Sequence, residues 1–209
     1  MHLFYIKMKK IFTIALLLFF GTISAQNEID EYINAVIIES KNTYPVDPKD
    51  LTMKNIFDQF YNEVLQNDSG QISEDLLNKI ALMVESPSTK NMQIMNLLLV
   101  FQDYINDVSE NPAALNPEFQ LKIVNAIENE FIILKQDIPA LVYVYKIEAL
   151  QTNDKFDESD KLIEVSLQKF PNSVPIKTYK YLATEDENVK NDLVKNHSNH
   201  WFVKQLDIN

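Results

Sequence analysis

Apolar residues recur along this chain in steps of three and four, and those steps mark out a succession of helices. Ile29, Ile33, Val36 and Ile37 share one side of a predicted helix over residues 28–41. Its first turn is acidic, where the helix dipole favours carboxylates. Tyr44-Pro45-Val46-Asp47-Pro48 then breaks the pattern, because proline has no amide hydrogen to donate. A second helix, residues 50–66, carries Leu51, Ile56, Phe57, Phe60, Tyr61, Val64 and Leu65, an aromatic face that reads as core. Ser73 is placed to cap a third, to about residue 84, which presents Leu76, Leu77, Ile80 and Val84. Ser88 is expected to cap a fourth, to about residue 108. Met92, Ile94, Met95, Leu97, Leu98, Leu99, Val100 and Phe101 make more than one of its faces apolar, which predicts a central position. Its methionines read as gap-fillers rather than as a groove for a partner.

Beyond a proline-bounded loop at 111–117, the candidate seam in the chain, a fifth helix over residues 117–135 shows Phe119, Ile123, Val124, Ile127, Phe131 and Leu134, with Pro117 suited to the first turn. Residues 139–172 hold an apolar helix pattern, a polar break and an amphipathic helix. On the latter, Phe156, Ser159, Leu162, Ile163, Ser166, Leu167 and Phe170 share a face, and Pro171 ends it. Two short helices, residues 174–183 with Ile176, Tyr179 and Leu182, and residues 187–195, complete the set. Trp201 and Phe202 are expected to fold back as a cap.

The unit at 139–172 resembles a tetratricopeptide (TPR) repeat. Phe156 stands where that family puts an aromatic after the turn, Ser159 and Ser166 where it puts small residues for close approach, and Pro171 where it closes the unit. In the same register Lys146 replaces a large apolar residue, Ile147 a small one, and Asp154 the turn glycine. One such unit of about 34 residues cannot bury its own face, so the resemblance implies helical neighbours on both sides. An ordinary helical hairpin is the competing reading. The expected fold is therefore all-α: antiparallel helical hairpins stacked as a short TPR-like α-solenoid or an irregular helical bundle.

The N-terminus changes the picture of where this fold works. Lys7, Lys9 and Lys10 precede an apolar run over residues 11–20, and Ile23-Ser24-Ala25 ends in residues suited to cleavage before Gln26. Residues 1–25 read as a cleaved signal peptide. As a membrane anchor the run is too short and lacks a stop-transfer flank, so no stable membrane insertion is expected after cleavage. Met8, followed by Lys9-Lys10, is an alternative start. The chain has no cysteine, which excludes an acylated cysteine and disulfides. A periplasmic or secreted protein is expected, with residues 26–209 as a single α-helical domain and residues 118–209 as its TPR-like part. That length suffices to bury a core without staples.

Charge narrows the partner. The whole chain carries −11, and without the three lysines of the leader the remainder carries −14. All 19 basic residues are lysine, so no planar guanidinium is present to fork a phosphate or a guanine edge, and a nucleic-acid backbone would be repelled. Outside the leader Gly70 is the one glycine, against Gly-rich phosphate loops and tight hairpins.

Candidate chemistry is sparse. His197 and His200, three apart, could present both imidazoles on one helix face to a metal, against the plainer reading of a surface helix end. Glu128 with Glu130, or Asp154, Asp157, Glu158 and Asp160, could do acid and base work, against solvated helix faces. Residues 67–73, with Asn67, Ser69, Gly70 and Ile72, partly resemble an EF-hand calcium loop. Leu65 and Leu76 fall where its first and twelfth ligands belong, which favours a plain turn. Tyr143, Tyr145, Tyr179 and Tyr181 are expected inside rather than along an open groove. No nucleophile elbow, phosphate loop or dinucleotide fingerprint occurs. No catalytic, cofactor-binding or metal residue is assigned. The expectation is a non-catalytic, exported module that binds a protein or peptide, attracted if basic by the acidic field. The alternative is a hydrolase or small-ligand binder with a carboxylate/His site in a helical cleft.

Overall fold

The computed structural model describes residues 25–208, so the expected leader, Ala25 apart, lies outside the described residues. Among these residues there are ten α-helices and no strand: α1 (Ala25–Thr43), α2 (Thr52–Phe60), α3 (Glu74–Glu85), α4 (Met92–Glu110), α5 (Pro117–Ile133), α6 (Ala140–Thr152), α7 (Phe156–Lys169), α8 (Val174–Thr184), α9 (Glu187–His197) and α10 (Trp201–Gln205). A π-helical turn, Tyr61–Gln66, extends α2, and a 3₁₀ turn, Pro112–Ala114, follows α4.

Local chemistry sets the helix starts. Ser73 Oγ accepts from Leu76 N at 3.2 Å, Asn116 Oδ1 from Phe119 N at 3.0 Å and Ser173 Oγ from Ile176 N at 3.2 Å. Each satisfies an amide that the first helical turn leaves without a partner. Helix α4 departs from expectation. Ser88 does not cap it, its hydroxyl meeting Ser86 Oγ instead, and the helix starts after Asn91, which sits in the left-handed region at φ 59°. Asp154 is also left-handed, at φ 57°, in the α6–α7 turn where the repeat family places glycine.

The interior is built on α4 and α6. In α4, Met92, Ile94, Met95, Leu97, Leu98, Val100 and Phe101 are buried, so its methionines fill core. Helix α6 buries most of its residues from Ala140 through Leu150, while Lys146 stays half-buried and Glu148 is exposed. Aromatic pairs bridge the layers: Phe57 of α2 meets Phe131 of α5 edge-on at 5.2 Å, and Phe101 of α4 meets Tyr145 of α6 edge-on at 4.9 Å. One apolar cluster runs from Ile33 to Tyr179, across the loop at 111–117. A second, smaller one joins Val174, Leu193, Val203 and Ile208.

From α4 to α9 each helix packs on the next. Helix α1, however, packs on α4 and α5, α2 on α6, and the π turn on α8. Nearest-neighbour stacking does not make such contacts. Three residues expected in the core face solvent instead: Leu51, Phe156 at 56 % exposure, and Leu182. On α7 the buried stripe is Ser159, Ile163 and Ser166, two of them small, while Phe156 is exposed at the start of the helix.

Candidate functional site

The two histidines do not form a pair of ligands. His197 ends α9, whereas His200 is fully buried as the N-cap of α10. His200 Nδ1 lies 3.2 Å from Phe202 N and Nε2 lies 2.9 Å from Leu65 O. A backbone amide only donates and a carbonyl only accepts, so Nδ1 accepts, Nε2 carries the proton and the ring is neutral. Burial, the largest influence, holds its pKa below the usual 6.5. Both nitrogens are thus engaged. The paired-ligand reading fails on that ground; burial overturns the surface reading for His200, while His197 stands half-buried at the helix end where that reading put it. Among the described residues no three potential metal ligands converge.

The carboxylates are likewise distributed. Glu128 and Glu130, two apart on α5, face different neighbours. Glu128 pairs with Lys146 of α6, the lysine that stands where the repeat family prefers an apolar residue. Glu130 is buried and accepts from Lys41 Nζ of α1 at 2.8 Å and from Gln93 Nε2 of α4 at 3.2 Å. Asp154, Asp157, Glu158 and Asp160 are exposed. In the turn at 67–73, Asn67 Oδ1 accepts from Ser69 N at 3.0 Å and Gly70 at φ 62° lies beneath the Trp201 ring. Trp201 Nε1 donates to Val64 O at 3.0 Å, so the end of the chain satisfies carbonyls at the end of the π turn. Tyr143, Tyr145 and Tyr179 are buried and Tyr181 is half-buried.

Among the described residues, shallow concavities include two near the C-terminal helices. One of about 290 Å³ includes Tyr181, Leu182, Glu185 and Lys190 in its wall. The other, about 190 Å³ between α7 and α8, contains the Lys180–Glu164 ion pair.

The surface feature that stands out lies where α1 and α5 run side by side. Asp30 pairs with Lys122 at 2.9 Å and Lys41 with Glu130 at 2.8 Å, so both helices ascend in the same direction. Residues three apart share a helix face, which places Ile38 on the stripe of Lys41 and Ile133 on the stripe of Glu130. Both are more than half exposed, Ile38 at 59 % and Ile133 at 53 %; Ile132, on another face of α5, is exposed at 55 %. Lower on the same seam Tyr32 meets Phe119 at 6.4 Å. Asp30, Glu31 and Glu39 of α1 are exposed around this strip. Sequence reasoning missed it; the available signal was Ile38, which falls outside the core stripe of Ile29, Ile33, Val36 and Ile37. No family model, curated protein or solved structure matches the chain.

Proposed function

We propose that this chain is a non-catalytic helical interaction module that binds a protein or peptide along the α1–α5 strip. The observation that carries the reading is the exposure of Ile38 and Ile133 on the stripes that also bear the inter-helix ion pairs. Isolated exposed apolar residues need no explanation, but several on one rigid, acid-rimmed strip suit a partner that offers apolar side chains flanked by lysine or arginine. The acidic charge outside the leader steers such a partner and keeps nucleic acid away. In this reading the leader directs the chain out of the cytoplasm, and α6 with α7 is a degenerate TPR-like hairpin serving as scaffold. Support also comes from the candidate catalytic groups, each of which has a structural partner or faces solvent on its own.

The test is binding of a panel of amphipathic Lys/Leu helical peptides, followed by calorimetry at low and high salt. Wild-type protein should bind, more weakly as salt rises, and Ile38→Lys combined with Ile133→Lys should weaken binding at least about tenfold, as loss of two buried apolar anchors implies. Equal binding by the double variant rules out the strip.

A further inference from the structure

We propose that His200 is an acid-released latch: neutral, it pins α10 onto the π turn, and on protonation it lets that helix go while the remaining helices stay packed. The geometry leaves the ring one workable state. A proton added at Nδ1 would confront the Phe202 amide donor, removing the only side-chain cap that α10 has. The contacts that would leave with it are clustered. Trp201 Nε1 donates to Val64 O, Trp201 N donates to Asp68 O at 3.2 Å, and Trp201 covers Gly70.

Release need not open the main core. Val203 of α10 and the following Ile208 belong to the small cluster with Val174 and Leu193, and Phe202 reaches the larger one edge-on at Tyr179, 5.5 Å away. An element held by few apolar contacts opens below the global unfolding free energy.

The groups around the ring set the direction. Asp68, in the loop after the π turn, favours the cation. His197 of α9 disfavours it, and the π turn offers the carbonyls of Leu65 and Gln66. Helix α8 presents Tyr179, neutral in this range, to the neighbouring Phe202. Burial outweighs the attraction, so the seated ring takes a proton less readily than a released one with its ordinary value near 6.5. Acid therefore favours the released state as pH falls through 6.5.

Trp201 is the sole tryptophan and reports directly on the latch. Its emission should shift to longer wavelength in a transition below pH 6.5 while far-ultraviolet circular dichroism stays nearly unchanged. The variant His200→Asn, which keeps a capping oxygen but cannot titrate, should lack that transition. Because this variant could fold poorly, the wild-type imidazole nitrogens are also followed by NMR. At neutral pH Nδ1 should be bare and Nε2 protonated, and the ring should titrate together with the Trp201 indole N–H. Constant emission until helicity collapses, an unaltered transition in His200→Asn, or independent titration of the two NMR signals overturns the proposal.

Discussion

Asn91 and Asp47 hold each other across 44 positions of sequence: Asn91 Oδ1 accepts the Asp47 amide at 2.9 Å, and Asn91 Nδ2 donates to the Asp47 carbonyl at 2.8 Å. The Asn91 amide itself donates to Pro45 O at 2.9 Å. One fully buried side chain thus satisfies the turn between α1 and α2 from the start of α4. Replacing Asn91 by alanine removes these side-chain bonds and forces a Cβ residue into the left-handed region without local help. The expected loss is about 2–4 kcal/mol. Asn91→Gly should recover only the backbone share. Thermal unfolding checks both; equal melting temperatures for wild type and Asn91→Ala would discard the account.

Glu130 is buried against a lysine that is one-third exposed, Lys41. Removing the cation leaves the carboxylate facing Gln93 alone. Lys41→Met should destabilise by about 1–2 kcal/mol, less than for a fully buried pair because water reaches the lysine. Adding Glu130→Gln should restore part of the loss, which a double-mutant cycle by denaturant unfolding measures.

At Gly70 an added Cβ would stand 2.8 Å from Trp201 Cδ1, at a left-handed φ of 62°. Gly70→Ala should cost about 1–2 kcal/mol from the backbone alone. It should also displace Trp201, changing its emission at neutral pH. Unchanged emission would mean that the indole does not rest on this turn.

Tyr61 lies 2.6 Å from Ser173 Oγ and 2.8 Å from Gln66 Oε1, and burial pushes its hydroxyl up to about 12. Burial also raises Tyr145 and Tyr179 above the usual tyrosine value. A raised folded-state value means that stability is fully present below pH 10 and is lost as pH climbs through about 12, since the unfolded chain gives up the proton first. Tyrosinate absorbance should therefore rise in two stages, exposed tyrosines first and the buried group only with loss of helicity. A single stage at the ordinary value would contradict the packing.

The helices were legible because each buries one stripe, or in the first half of α4 and most of α6 more than one face, and a 3.6-residue period survives in sequence whatever the partner is. Ser159, Ile163 and Ser166 came out on the buried side of α7 for that reason. Phe156, at the first position of the same helix, did not: it is exposed where the helix begins, and period alone does not register the edge of a contact. The start of α4 was misread because Ser88 looks like a cap, whereas Asn91 works through residues far back in the chain. His200 is the same case at longer range. Its partner is Leu65 O, and spacing from His197 says nothing of a carbonyl 135 positions away. Nor does sequence reveal that Glu128 and Glu130 serve different neighbours, since that depends on which helices flank α5.

The pairing of the last helix with the π turn bears on synthesis. Every residue of the main apolar cluster except Phe202 has been made by the time Tyr179 is added, yet Val64 O, Leu65 O and Asp68 O await donors on residues 200 and 201. A chain stopped just short of His200 would hold nearly all of the main cluster and still leave those carbonyls to water, so this closure waits on residues that follow the main core in sequence.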